Sequence, residues 1–485
     1  MKLNKLLQGI EVLDRQGGAE REVSLLTFDS RRCVPGSLFV AVAGTEADGH
    51  AYIGKAVAAG ATAVIYQNGT PAETVEGDVA WIRVADSRRA LALAADNWYD
   101  HPSGKLALVG ITGTNGKTTT VTLLYNLFTR MGWCCGLLST IANYIDGERL
   151  PASHTTPDPI ELNALLARMV DKGCAYCFME VSSHAIDQER IAGLEFRGAL
   201  FSNLTHDHLD YHKTFAAYRD CKKRFFDNLP TTAFALVNVD DRNGEVMVQN
   251  TRAQVKTYAC KRMADFRGKI IEESLEGMLV NLDGTQVWTR FIGAHNAYNL
   301  LAVYSAAILL GASRDEVLVG MSALGPVAGR LDFLRGGRDL TAVVDYAHTP
   351  DALENVLKTL REAACDRPLV CVFGCGGNRD KTKRPEMAAI ACEYSDRVIL
   401  TSDNPRFEEP AQILKDMEPG IPADFRPNTL IIENRREAIR TACMLMRDHG
   451  VILIAGKGHE KYQDIHGTKH HFDDIEEVRN DWQLN

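Results

Sequence analysis

The stretch GITGTNGKTTT, Gly110 to Thr120, places glycines, a lysine and threonines in the order that binds polyphosphate. Glycines let backbone N–H groups converge on an anion, and the start of a following helix adds its positive end. Lys117 would then meet the terminal phosphates and Thr118 would ligate Mg²⁺. The spacing departs from the commonest phosphate loop, GxxxxGK: Gly113 is too close to Gly116 and Gly110 is one position too far away. A glycine turn before a surface lysine is the bland alternative. An apolar strand ahead of the loop and a helix behind it argue against that.

A second constellation lies in EVSSHAIDQER and SNLTHDHLDYH. Glu180 and His208 each follow an apolar run, so both could face the same ligand cleft as Thr118. Mg²⁺ prefers oxygen and keeps several waters, so Thr118, Glu180 and His208 beside phosphate oxygens make a sparse but workable shell. The alternative is that His206, His208 and His212 form a solvated loop. Cys174 and Cys177 make a CxxC, but with no second pair at zinc spacing it reads as part of a buried strand.

These groups need a scaffold, and 485 residues suggest roughly three domains. Apolar content of 45% and charged content of 24% describe a folded chain. A net charge of -9 argues against a general nucleic-acid surface. The N-terminal MKLNKLLQGIEVLDRQ has too short an apolar run for a signal peptide, and no apolar stretch reaches membrane-spanning length. The expectation is a cytoplasmic protein with reduced cysteines and no membrane insertion.

Along the chain, apolar runs that end in polar or glycine-rich residues recur: KLALVGITG, CAYCFMEVSS, RGALFSNLTHD, AFALVNVDD, TAVVDYAHTP, PLVCVFGCGGNRD, DRVILTSDNPR and VILIAGKGHE. Parallel α/β sheets bind ligands outside the carboxyl ends of their strands, where these polar residues fall. Val121, Leu124, Leu127, Phe128 and Met131 line one face of a helix over 117–131. In TPDALENVLKTLREA, Thr349 reads as an N-cap, Pro350 as the first helical residue and Leu353, Val356, Leu357 and Leu360 as the buried face. The glycine-rich GPVAGRLDFLRGGRDL from Gly325 marks a domain break. The predicted class is α/β, with a small α/β unit over 1–100, a central unit over 101–330 with a P-loop ATPase-like, mostly parallel sheet, and a third unit over 331–485.

GTNGKTTT, EVSSH, NLTHDHLDYH, GAHNAYN, DYAHTPDAL and GKGHE occur in the order found in the Mur ligases, which the chain resembles over nearly its whole length. That family builds the peptide stem of bacterial cell-wall precursors in the cytoplasm. The Gly113, Gly116, Lys117, Thr118 spacing is the family's own form of the phosphate loop. The resemblance implies an N-terminal domain for the UDP part, a central ATPase and a Rossmann-like C-terminal domain that brings an amino acid. TTPD and DNPR point to the member that adds the third residue, joining meso-diaminopimelate to UDP-N-acetylmuramoyl-L-alanyl-D-glutamate through an acyl phosphate. The implied molecule is a monomer that uses ATP and Mg²⁺ on small-molecule substrates.

Site residues follow by the same resemblance. Lys117, Glu180, His208 and Lys222 are implied as catalytic, with Lys222 a carbamylated lysine supporting a second Mg²⁺. An ammonium would repel the metal, whereas a carbamate is an anionic oxygen donor; a solvated basic face shared with Lys223 and Arg224 is the alternative. For ATP, the loop residues Gly113, Thr114, Asn115, Gly116, Lys117, Thr118 and Thr119 are joined by Asn296 and Asn299 near the adenine, Asp345 near the ribose and Arg330 near the phosphates. For the UDP precursor, Ser30, Thr155, Thr156, Ser182, Gln188 and Arg190 are implied. One local departure is Ser139 in STIANY, where the family pattern suggests glycine.

Arg406 in TSDNPR would grip the distal carboxylate of diaminopimelate with a two-pronged bond, beside Asp403, Asn404 and Pro405. Arg379, Gly456 and Glu460 would complete that pocket. A surface ion pair of Arg406 with Glu408 or Glu409 is the alternative. Rival functions are an L-lysine-adding ligase of the same family, folylpolyglutamate synthetase, and a P-loop motor or switch that hydrolyses ATP without an amino acid.

Overall fold

The loop Gly113–Gly116 hangs between the strand Ala107–Thr112 and the helix Lys117–Arg130 in the computed structural model. The structure describes every residue except 19, 45, 46, 70–74, 76, 77, 208, 338, 447, 448, 484 and 485, so His208 lies outside the described residues. The strand is buried on both faces, as a parallel strand covered by helices must be. The helix ends at Arg130 with Met131 as its C-cap, and Val121, Leu124, Leu127 and Phe128 are buried.

Register brings the chemistry together. In the central sheet Ala107–Thr112 is flanked by Tyr176–Glu180 and Gly198–Phe201, both parallel, with Glu180 beside Ile111 and Phe201 beside Thr112. Three carboxyl ends therefore meet at the phosphate loop. Phe234–Asn238 and Gln254–Ala259 continue the parallel run on one side and Cys135–Leu138 on the other. Beyond them the eleven-stranded sheet becomes antiparallel: Asn143–Ile145 and Glu148–Leu150 extend one edge, and on the other Phe266–Ser274 still joins Gln254–Ala259 in parallel before Gly277–Leu282 and Thr285–Thr289 follow it as an antiparallel meander. The helix Ala294–Leu309 packs beside Lys117–Arg130 in one apolar cluster with the sheet.

Two further sheets flank this one in sequence. Residues 12–84 form a five-stranded sheet, parallel except for its edge strand Val12–Gln16. A six-stranded sheet runs Asp332–Arg335, Leu340–Asp345, Gly450–Ala455, Leu369–Phe373, Arg397–Leu400, Thr429–Ile431, antiparallel only at its first pair. Its helix Pro350–Ala364 begins as the sequence predicts: the Thr349 hydroxyl accepts from the Ala352 N–H, and Leu353, Val356, Leu357 and Leu360 are buried. The cysteines of the described residues are free thiols. Cys177 is buried in its strand, whereas Cys174 lies ahead of it, its Sγ 3.1 Å from that of Cys134.

Behind the C-terminal sheet, Arg435 and Asp474 are both fully buried and bonded in parallel, Nε to Oδ1 and Nη2 to Oδ2, each at 2.8 Å. Arg435 Nη2 also donates to the Ala455 carbonyl at 3.0 Å, just ahead of Gly456. Asp474→Ala strands a buried guanidinium, so the unfolding transition of this unit should lose about 3–5 kcal/mol. Denaturant titration followed in the C-terminal unit measures it. A loss below about 1 kcal/mol would mean that water or a neighbour replaces the carboxylate.

Candidate active site

The phosphate loop is shaped by close neighbours. Gly113 has φ +153° and Gly116 φ +87°; a Cβ would stand 2.0 Å from the Ser202 hydroxyl at the first and 2.4 Å from Asn299 Oδ1 at the second. Neither position admits a side chain. From the side, the Thr114 N–H donates to the Asn203 carbonyl at 2.8 Å, the Asn115 N–H to Asn203 Oδ1 at 2.9 Å, and the Ser202 hydroxyl to the Asn115 carbonyl at 2.7 Å. The C-terminal unit closes on the same loop, where Asn115 Nδ2 donates to Asp351 at 2.7 Å.

Two lysines meet on one carbonyl. Lys117 Nζ donates to the carbonyls of Gly113 at 2.9 Å and Thr114 at 2.7 Å. Lys222 Nζ donates to the same Gly113 carbonyl at 2.9 Å and lies 4.6 Å from the centre of the Tyr218 ring. Burial lowers the pKa of both, and the Lys117 charge pushes the Lys222 amine further, well below the usual lysine range. Lys222 is 1% exposed, while Lys223 pairs with Asp227 and Arg224 with Asp187. It does not belong to a solvated basic face.

Glu180, 1% exposed, accepts the Thr140 N–H on Oε1 at 2.8 Å. Arg330 crosses from the C-terminal side: its Nη2 reaches the Thr118 hydroxyl at 3.4 Å and its guanidinium lies 4.6 Å from the Tyr346 ring centre. Asp345 takes the N–H groups of Leu331 and Ala347 at 2.7 and 2.8 Å, and burial pushes its pKa up. Asn299 Nδ2 donates to Asn296 Oδ1 at 3.1 Å, and Asn296 Nδ2 to the Ile292 carbonyl at 2.9 Å. Thr114 to Thr119, Glu180, Lys222, both Asn residues, Arg330 and Asp345 line one cavity of about 630 Å³. Gly113 contributes its carbonyl from behind.

Oxygen donors for a hard cation are present here, the Thr118 hydroxyl and the Glu180 carboxylate. No group of three His, Cys, Asp or Glu side chains among the described residues could hold a metal alone. The donor set thus fits Mg²⁺, which binds through few protein ligands plus water and phosphate oxygens.

A second cavity of about 350 Å³ is lined by Arg379, Asp403, Asn404, Arg406, Gly456 and Glu460. Thr155, Asp207, Tyr346 and His348 line both cavities, so the two share a wall. Arg406 has φ +53°, held by its N–H on the Asp464 carbonyl at 2.9 Å and its carbonyl on the His466 N–H at 2.7 Å. Its Nη1 donates to the Gly377 carbonyl at 2.8 Å. Glu408 is taken instead by Arg384 at 3.0 Å and Lys381 at 3.1 Å. Among the described residues Arg406 forms no ion pair. Pro405 is buried behind the wall. A Cβ on Gly456 would stand 2.6 Å from Asp403 Oδ2, so this glycine makes room for the carboxylate.

Profiles of known families match the chain in three stretches: the Mur ligase family catalytic domain over residues 22–99, the Mur ligase middle domain over 111–307 and the Mur ligase glutamate ligase domain over 329–458. The UDP-N-acetylmuramoyl-L-alanyl-D-glutamate--2,6-diaminopimelate ligase of Phocaeicola vulgatus is 55% identical over 480 residues, covering 99% of each chain. The chain is a member of the Mur ligase family. The protein of the same name from Clostridium perfringens is 39% identical over 488 residues, again covering 99% of each. A solved structure of a ligase of that name superposes with a TM-score of 0.70 at 32% identity, covering 100% of this chain and 99% of that one. A folylpolyglutamate synthase of Mycobacterium tuberculosis, complexed with ADP and AMPPCP, gives a TM-score of 0.63 at 19% identity over 77% of this chain and 92% of that one, a likeness of fold alone.

The remaining expected residues of this Mur ligase gather beside Glu180, with one exception. Arg190 Nη1 donates to the Thr156 carbonyl at 2.8 Å and its Nη2 to Gln188 Oε1 at 2.6 Å. The Thr156 hydroxyl donates to the Glu180 carbonyl at 2.9 Å and accepts the Ser182 N–H at 3.1 Å; Thr155 accepts from the Thr140 hydroxyl at 3.1 Å. Arg89 of the N-terminal unit pairs with Glu189 at 3.2 Å and so docks beside this cluster. Ser30 opens the short turn Ser30–Arg32 of that unit and lines neither cavity. Sequence reasoning missed Asp207, Tyr346 and His348 in the shared wall. All three stand inside motifs it quoted, next to residues it named. His348 Nδ1–H donates to the Tyr346 carbonyl at 2.8 Å, and burial pushes its pKa down to about 4, so the ring is neutral at pH 7.

Proposed function

We propose that this Mur ligase joins meso-diaminopimelate to UDP-N-acetylmuramoyl-L-alanyl-D-glutamate at the expense of ATP, a step of peptidoglycan precursor synthesis. The observation that carries the reading is the DNPR segment in a cavity sharing a wall with the phosphate-loop cavity. A free carboxylate is a poor acyl donor because oxide would have to leave. The D-Glu carboxylate oxygen therefore attacks the terminal phosphorus of ATP, the bond to ADP breaks, and an acyl phosphate forms. The amine nitrogen of diaminopimelate then attacks the acyl carbon, phosphate leaves from the tetrahedral intermediate, and the amine proton is lost.

Lys117 and Arg330 supply positive charge along the phosphates, and the loop N–H groups orient them. Thr118 and Glu180 would hold Mg²⁺, which would supply charge to offset the repulsion between two anions. His208 belongs to this set by its motif. Asn296, Asn299 and Asp345 seat the nucleoside, and Thr155, Thr156, Ser182, Gln188 and Arg190 the precursor's peptide and sugar, with Ser30 on the uridine side. Residues 1–100, 101–330 and 331–485 act as precursor, ATP and amino-acid domains. The ligase works as a cytoplasmic monomer; no helix of the described residues is long and apolar enough to cross a membrane.

Burial suits Lys222 to carbamylation, because the neutral amine is the form that adds CO₂, releasing a proton and leaving an anionic oxygen donor. Lys222→Ala should lose roughly 10²–10³-fold in turnover, as expected for removing one preorganised charged group. A short-chain carboxylic acid in the assay should restore part of it. Normal activity in the variant would leave Lys222 as packing against Tyr218.

The test of the whole reading is phosphate release from ATP with the UDP-muramoyl dipeptide while amino acids are varied. Release with diaminopimelate supports it. Release without any amino acid would indicate a motor or switch, and release with glutamate on a folate a folylpolyglutamate synthetase.

A further inference from the structure

Behind the wall of the amino-acid cavity lies a charge that the reading above leaves unused. Lys457 follows Gly456 at the end of the strand Gly450–Ala455 and is 0% exposed. Its Nζ lies 3.1 Å from Asn404 Oδ1, 3.4 Å from Glu460 Oε2 and 3.7 Å from Asp403 Oδ1. Asn404 Nδ2 in turn donates to Glu460 Oε2 at 2.7 Å. An ammonium, an amide and two carboxylates thus form one connected set. Asp403, Asn404 and Glu460 line the cavity and Lys457 stands behind them.

Two carboxylates cannot share a buried wall unaided, because each loses hydration and repels the other. Burial, and then the Asp403 charge, raise the Glu460 pKa, and Lys457 and Asn404 offset only part of that rise. The hairpin Tyr462–His471 fixes the other side: Gln463 Nε2 donates to the Asp403 carbonyl at 2.9 Å, the Asp464 N–H to Asn404 Oδ1 at 2.9 Å, and the Tyr462 ring centre lies 5.5 Å from Lys457 Nζ. Lysine is the cation that this geometry admits, since a compact ammonium can face three acceptors where a planar guanidinium would need a wider site.

We propose that Lys457 is a positioning residue for ligation: it holds the side chains of Asp403 and Glu460 in place side by side, so that the cavity wall can take the ammonium groups of the incoming amino acid. The inference rests on the reading of this cavity as the amino-acid site. It adds a residue that touches no substrate and acts through two that do.

The test is steady-state phosphate release by the full chain, Lys457→Met, Lys457→Gln and Lys457→Arg against wild type, with meso-diaminopimelate, ATP and the UDP-muramoyl dipeptide each varied in turn. Met and Gln should raise KM for diaminopimelate roughly ten- to a hundredfold, the size expected for losing hydrogen bonds to a charged partner. KM for ATP and for the dipeptide should stay within about twofold, because Lys457 borders neither phosphate nor precursor residues. Arg, which keeps the charge in a poorer shape, should recover part of the loss. An unchanged KM for diaminopimelate, or all KM values moving together, would overturn the proposal. So would a chain that folds with none of the three replacements, since Lys457 would then be a structural residue. A wild type that releases phosphate with no amino acid would bring down the parent reading, and this proposal with it, before any variant is compared.

Discussion

Lys117→Ala should lose ligation by about 10³-fold or more while still binding the UDP precursor, an effect in the range for removing a preorganised charge from a phosphoryl-transfer site. The Lys117 ammonium is held on the carbonyls of Gly113 and Thr114, at the loop rather than in solvent. Phosphate oxygens compete with two neutral carbonyls for this cation and win on charge. The cluster of Thr156, Ser182, Gln188 and Arg190 is bonded within itself and makes no hydrogen bond to Lys117 among the described residues. Precursor affinity should therefore survive. Turnover on one side and calorimetric binding of the UDP-muramoyl dipeptide on the other separate the two losses. Equal loss of both in a folded variant would contradict the assignment. The shared Gly113 carbonyl adds a second expectation. Alanine at 117 removes the charge that pushes the Lys222 amine down, so Lys222 will hold its proton more tightly and accept CO₂ less readily. The Lys117→Ala, Lys222→Ala double variant should then be scarcely worse than Lys117→Ala alone, as for groups that act as a unit.

Local signals in the chain reported local structure well. Thr349 and Pro350 announce a helix start because capping and proline stereochemistry act within one turn, and the helix begins there. Polar residues after apolar runs mark the carboxyl ends of strands, and the parallel register then places Glu180 beside the loop. What escaped depends on contacts far apart in sequence. Asn115 and Asp351 are 236 positions apart, and nothing near either one shows that they bond across two units. The meander over 266–289 was not anticipated, since RGKIIEES and TQVWT are half-exposed strands whose alternation is weak. Lys222 was singled out from Lys223 by its spacing from His208 and the family resemblance rather than by composition, and the packing of Phe215–Asp227 turns it inward. Lys457 was overlooked for a similar reason, because a lysine in GKGHE reads as solvated until the strand end buries it.

Selectivity for the amino acid should rest on Arg406, with wild type preferring meso-diaminopimelate to L-lysine by about 10³-fold in kcat/KM. Sites built around a polar partner reject an analogue lacking it because their own groups are left unpaired, and values near 10⁴ are reached in fully buried sites. Arg406 is half-buried, so solvent screening reduces the figure. Its Nη1 is anchored on the Gly377 carbonyl, which aims the guanidinium while leaving donors for a carboxylate. Glu408, the nearest rival for it in sequence, is already held by Arg384 and Lys381. L-lysine would leave these donors empty and place its terminal ammonium near the guanidinium, so repulsion adds to the missing bond. Asp403 and Glu460 cannot rescue it alone, because both ligands carry an amine for them to hold and the distal carboxylate is the difference. Arg406→Ala leaves the backbone hydrogen bonds to Asp464 and His466 that hold the φ +53° turn, so the variant removes the guanidinium without altering the turn. Initial rates at saturating ATP and UDP precursor, with each amino acid on wild type and variant, give the ratio directly. It should collapse to within about tenfold in Arg406→Ala, mostly through loss of diaminopimelate rather than gain of lysine. A wild type that uses both amino acids equally would sink the specificity, and a variant that keeps the wild-type ratio would remove Arg406 from it.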